Sequence, residues 1–175
     1  ELEGSVERPK KIEKLGKGKI ITFGKKITII AMSYLVLEAK IAIAHLRKFN
    51  IDCELIDIRC LQPLDWNLIK KSINKTGRVL VLDTANKNNS FSSEIITKVV
   101  TELMPKLKSA PQRLTMPDIP EPASFGLTKG LYVRPYDIVK SISKILKLKN
   151  NYILKSAIKE PKPHDVPGLW FKGPF

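Results

Sequence analysis

Two periodicities divide this chain. Ile27 to Met32 is apolar on both faces, which predicts a central strand covered on two sides. The β-branched run before it, from Ile20, is separated from it by Gly24-Lys25. Glycine can take φ > 0 at the first central position, so the two runs predict a tight hairpin. The period then changes. Leu35, Ala39, Ala42 and Leu46 recur at helical spacing with Ile43 and Phe49 beside them, while Glu38, Lys40, Arg47 and Lys48 fall largely elsewhere. A helix from Leu35 to Phe49 is expected, with Asn50 as its stop.

The same alternation continues. Cys53 to Ile58 predicts a second buried strand. Asp65 is a suitable N-cap for the helix after it, Lys70, Lys71 and Lys75 favour its C-terminal half, and Gly77 can end it. Arg78 to Asp83 reads as the third strand, "TANKNNS" as polar loop, Ser93 to Met104 as a helix, Gln112 to Met116 as the fourth strand and Tyr136 to Leu148 as the last helix. Strands buried on both faces and separated by helices argue for an α/β fold. The expected architecture is a three-layer α/β/α domain with a mixed, mostly parallel sheet of about five strands. Its one antiparallel member is the first arm of the hairpin. Residues 149–175 show no clear period and end "HDVPGLWFKGPF". Their aromatic density favours a docked tail, with Trp170 and Phe171 in a groove on a partner.

Composition narrows the function classes. The 175 residues, 43% hydrophobic, suit one domain. No run of about 18 apolar residues is present. The start, "ELEGSVERPKK", lacks Met and the apolar core of a signal peptide, so a piece of a longer or processed chain is expected. The net charge of +14 raises a nucleic-acid reading, but its placement weakens it. Residues 1–26 carry eight Lys/Arg against four acids, and residues 140–175 carry eight Lys against two. No aromatic-interleaved basic stretch appears, so the ends read as solvated. Cys53 and Cys60 lack metal or redox spacing; Cys53 reads as a small core residue, and two cysteines suit a reducing compartment.

Candidate chemistry is sparse. Nucleophilic hydrolysis wants a Ser or Cys, a His and an orienting acid. Only His45 and His164 exist, one on an amphipathic helix and one in the tail. "GKG" at Gly16 to Gly18 precedes a strand, the wrong context for dinucleotides, and no phosphate loop is present. The loop after Asp83 lies where open α/β sheets bind ligands, but it has no glycine to admit a phosphate. Asp83, Asp118 and Glu121 follow strands and might gather at the C-terminal edge of the sheet. The stretch "LTMPDIPEPAS" holds two of them. Pro117, Pro120 and Pro122 restrict φ and favour a rigid connector, with Asp118 expected to bond nearby backbone amides. On the residues alone, no catalytic, cofactor-binding or metal-ligating set is assigned.

Three stretches together resemble the C-terminal domain of the transketolase family: "LGKGKIITFGKKITIIAMSYLVLEAKIAIAHL", "FNIDCELIDIRCLQPLDWNLIKKSINKTGRVLVLD" and "APQRLTMPDIPEPASFGLTKGLYVRPYDIVKSI". The last form is most similar to the beta subunit of thiamine-diphosphate-dependent 2-oxo acid dehydrogenases of the pyruvate, branched-chain and acetoin types. The likeness covers about Leu15 to Leu148. It implies a linker over residues 1–14 from an upstream domain, the domain itself over 15–148 and a tail over 149–175. It implies a non-catalytic domain for subunit pairing, in a parent enzyme that binds thiamine diphosphate and magnesium elsewhere and oxidatively decarboxylates a 2-oxo acid. The implied partners are an alpha subunit and a second beta subunit of a heterotetramer, and the subunit-binding domain of the dihydrolipoyl acyltransferase core. The implied location is bacterial cytoplasm or mitochondrial matrix. Some members place an acid before the Ala-Pro step for docking; here Ser109 stands there. The family's second acid after the third strand is Thr84 here. The alternatives are a transketolase or deoxyxylulose-phosphate synthase domain, and a basic nucleic-acid module.

Overall fold

The structure, a computed structural model, describes residues 14–149 and 151–157. In chain order it contains β1 (Lys19–Thr22), β2 (Ile27–Ala31), α1 (Leu35–Arg47), β3 (Cys53–Asp57), α2 (Trp66–Thr76), β4 (Val79–Asn86), α3 (Phe91–Leu103), β5 (Gln112–Met116), α4 (Pro135–Ile145) and α5 (Asn151–Lys155). The sheet order is β1-β3-β2-β4-β5, with β1 antiparallel to β3 and the other pairs parallel. The expected α/β/α class and five-strand mixed sheet are what the chain adopts.

The pleat sorts the core. Ile27, Ile29 and Ala31 of β2 join Leu55, Leu80 and Leu82 under α1, α4 and α5. Ile30, Ile56, Val79 and Val81 point the other way, against α2 and α3. All five residues of β2 are buried. Each isoleucine so enclosed contributes about 1.5–3 kcal/mol, which makes β2 the anchor of the sheet. The connection from β2 leads through α1 on one face, whereas those from β3 and β4 lead through α2 and α3 on the other. A right-handed crossover demands that change of face when the chain reverses direction across the sheet. The crevice so created lies between the C-terminal ends of β2 and β4.

Polar groups inside this core are matched. Thr28, on the α2 face, places its hydroxyl 2.7 Å from those of Ser72 and Thr76. Beside it in register, buried Glu54 is held by Lys75 of α2. On the opposite face, Glu38 of α1 is fully buried, and its Oε1 lies 3.2 Å from Nη1 of Arg134. This corrects the expectation that Glu38 falls off the apolar stripe. It stands three residues after Leu35 and four before Ala42, so it faces the core, and the guanidinium makes that burial tolerable.

The hairpin is the second correction. β3 lies between β1 and β2, which do not pair. The cause is that β2 is bonded on both edges by parallel neighbours, β3 and β4. The free edge of β3 then takes β1. The link Phe23–Lys26 has to cross the start of β3, and Gly24 is where it passes. A Cβ there would lie 2.3 Å from the carbonyl carbon of Cys53 and 2.6 Å from the amide nitrogen of Glu54. Gly24 supplies room, not a positive φ. Asp52 fastens the crossing, accepting from Lys25 N at its carboxylate and from Lys26 N at its carbonyl, both at 3.1 Å.

Element ends shift by a few residues. β4 runs on to Asn86, taking in residues expected as loop, and α3 starts at Phe91. The expected stops hold: Asn50 has φ 58° and Gly77 φ 69°. Asp65 caps α2 by accepting from Leu68 N at 3.3 Å. Beyond Leu148, Ile153 of α5 and Ala157 just after it join the core. His45 Nε2 donates to the Ile153 carbonyl at 2.9 Å, and Phe49 packs edge-on between His45 and Tyr152. The groove expected for Trp170 and Phe171 concerns residues outside those described, as does His164.

Two substitutions test these contacts. Gly24→Val is expected to destabilise by roughly 3 kcal/mol, since the clash is with backbone that cannot give way. Arg134→Met removes the guanidinium paired with fully buried Glu38, and is expected to cost about 3 kcal/mol. Urea unfolding followed by circular dichroism reads both; a midpoint unchanged from wild type would contradict the assigned contact.

Candidate functional site

The C-terminal edge of the sheet is where this topology places functional groups, and it is built from three segments. After β2, Ser33 holds φ 53°, a left-handed conformation that turns the chain into α1 and sets Tyr34 beneath the loop before α4. Burial pushes the Tyr34 hydroxyl up to about 12. Arg134 opposes that shift, and the carboxylates of Glu38 and Glu121 reinforce it. Arg134 is also the N-cap of α4, where its amide donates to Asp137 Oδ2 at 3.0 Å. One side chain thus joins the start of α4 to the first turns of α1.

The second segment follows β4. Asp83 is 2% exposed. Its Oδ1 accepts from Ala85 N at 3.1 Å and its Oδ2 from Ser92 N at 2.7 Å. It therefore satisfies an otherwise orphaned amide in the first turn of α3. From β5, Arg113 donates to the hydroxyls of Ser90, at 2.9 Å, and Ser93.

The third segment is the proline connector. Asn88 donates its side-chain amide to the Asp118 carboxylate, and Asn86 Nδ2 donates to the Ile119 carbonyl at 3.4 Å. The Tyr132 hydroxyl donates to Glu121. Asp118 therefore binds a side-chain amide from the β4–α3 loop, in place of the nearby backbone amides expected for it. Asp83, Asp118 and Glu121 each serve a different partner. Among the described residues, no group of three or more His, Cys, Asp or Glu could hold a metal ion. A magnesium–diphosphate site needs converging, uncommitted oxygens. The side chains described at this edge do not fit thiamine diphosphate with its magnesium.

The other candidate groups are also committed. Burial pushes the Cys53 thiol up to about 12, which suits a core residue and not a nucleophile. Cys60 donates its thiol to the Gln62 carbonyl at 3.1 Å. His45, the one histidine among the described residues, holds α5. Ser109 is half-buried in the turn before β5, and its hydroxyl has no hydrogen-bond partner. The connector instead presents apolar surface: Ile119 is 48% exposed, Phe125 41% and Leu127 69%. Tyr34, Glu38 and Arg134 were not singled out from sequence. An acid at apolar-stripe spacing, calling for a distant cation, was the available signal.

Residues 16–136 match the family model described as Transketolase, C-terminal domain. Pyruvate dehydrogenase E1 component subunit beta of Cyanidium caldarium is 29% identical over 148 residues, 85% of this chain and 45% of that protein. Acetoin:2,6-dichlorophenolindophenol oxidoreductase subunit beta of Cupriavidus necator is 31% identical over 132 residues, 75% of this chain and 39% of that protein. Among solved structures, a split-gene transketolase in an inactive beta4 tetramer superposes with TM-score 0.68. It shares 23% identity, over 84% of this chain and 47% of that one, and so speaks for the fold. The chain spans less than half the length of these relatives. The matched residues include β1 to β5 and the connector, and on that ground the chain belongs to the transketolase C-terminal domain family.

Proposed function

We propose that this chain is the assembly domain of the beta subunit of a thiamine-diphosphate-dependent 2-oxo acid dehydrogenase. It pairs with a second beta subunit and an alpha subunit and contributes to docking on the acyltransferase core, while the reacting groups belong to other domains. In this reading residues 1–14 are a linker, 15–148 the domain and 149–175 a tail, and the enzyme works in bacterial cytoplasm or mitochondrial matrix. The similarity to beta subunits of pyruvate and acetoin enzymes supports the parent reaction. The observation that carries the assembly role is the connector: Ile119, Phe125 and Leu127 stand exposed on a segment that prolines and side-chain bonds hold in place. Preorganised apolar surface lowers the ordering cost of association. A specific pairing surface would bury about 800 Å² per partner.

In the full-length subunit, Ile119→Asp combined with Leu127→Asp is expected to shift sedimentation towards smaller species while the melting temperature of this domain stays put. An unchanged assembly mass would refute the pairing role. Titration calorimetry of the 175-residue chain with thiamine diphosphate and magnesium should show no saturable heat; tight binding would overturn the division of labour.

A further inference from the structure

On the far side of the domain from α2 and α3, a cleft of about 570 Å³ runs between α4, α5 and the last strand of the sheet. We propose that this cleft is a binding site for an extended, acidic peptide segment. The proposal goes beyond the assembly role and does not depend on it.

Four features support it. First, β5 is the end of the sheet, and no further strand pairs with it among the described residues. An open edge offers unpaired backbone donors and acceptors to an added strand. Second, Lys140 and Lys144 line the α4 wall one helical turn apart, and Lys147 follows just beyond the end of that helix. Among the described residues none of them forms an ion pair. Among the described residues, the one acid lining the cleft is Asp137, near the start of α4, where it caps the helix. Third, the floor is apolar, from Leu114, Leu148 and Leu154. Fourth, Ser143 lines the cleft, is 7% exposed, and its hydroxyl has no hydrogen-bond partner. A buried hydroxyl left open in this way is unfavourable, and a ligand atom bonding to it would relieve that cost.

The spacing selects the occupant. Lys140 to Lys144 spans about 6 Å at 1.5 Å per helical residue. Alternate side chains of an extended strand stand about 6.7 Å apart, so acids at i and i+2 match the row while the residue between them faces the leucines. A nucleic-acid strand would share the lysines but wants aromatic platforms, and among the described residues no aromatic side chain lines the cleft.

The test is fluorescence anisotropy of the 175-residue chain at about 50 mM salt, where exposed charges are least screened. The probe is a labelled, end-capped peptide of alternating Glu and Val; its comparators are the Gln/Val peptide and an oligothymidylate of equal charge. The Glu/Val peptide is expected to bind, and the Gln/Val peptide to bind at least about tenfold more weakly. Lys144→Glu with Lys147→Glu is expected to weaken Glu/Val binding by at least about tenfold at unchanged melting temperature, whereas Lys70→Glu with Lys71→Glu on α2 leaves it unchanged. Equal loss from the α2 pair, no binding at all, or equal competition by oligothymidylate would each overturn the proposal.

Discussion

The fold depends on one constraint, the enclosure of β2. This strand is covered on both faces and bonded on both edges. No neighbour can be added to it, so β1 is displaced to the outer edge of β3, and the link between β1 and β2 has to pass the start of β3. Only a residue without a Cβ fits where it passes, and that residue is Gly24. The same enclosure requires helices on both faces and fixes where the crossovers change sides. The crevice at the C-terminal edge follows from the position of β2.

What fills that edge is polar, and each contact holds one segment to another. Asp83 ties β4 to α3, Asn88 ties the loop between them to Asp118, and Tyr132 ties the end of the connector to its middle. Glu38 and Arg134 close the ring by joining α1 to α4. Buried charges of this sort contribute little net stability against an apolar replacement, but removing one partner is severe, so they favour one arrangement over its competitors. With the acids so engaged, the connector has a defined path and turns its apolar side chains outwards.

Much of this was legible in the sequence. Strands buried on both faces appear as continuous apolar runs, and Asp65, Gly77 and Asn50 mark helix ends through local geometry. The stretches that carry the family resemblance lie within the matched region. What was not legible is non-local. Gly24-Lys25 has the composition of a two-residue turn, and nothing within ten residues of it reveals that β3 will be inserted. Glu38 has helical spacing with the apolar stripe, yet its partner lies 96 residues away. Asp118 in a proline loop has the look of an Asx turn, because the competing amide of Asn88 comes from a different loop. Local propensity sets the elements; pairing order and cross-chain polar contacts are decided by what the assembled sheet leaves unbonded.

Charge then bears on which partners this surface accepts. In the proposed docking role, the family resemblance implies an acid before the Ala-Pro step, where this chain has Ser109 with an unpartnered hydroxyl. Three residues further on, Gln112 opens the cleft flanked by Lys140, Lys144 and Lys147. A cationic partner approaching there would find no carboxylate at position 109 and would meet like charge along α4. Discrimination between partners comes as much from such repulsion as from attraction. On the proposed reading, such a surface disfavours a guanidinium-bearing partner and favours one that brings carboxylates. If this chain assembles as its relatives' names imply, the partner segment that touches this end of α4 has to differ in charge from one that pairs with an acid before the Ala-Pro step.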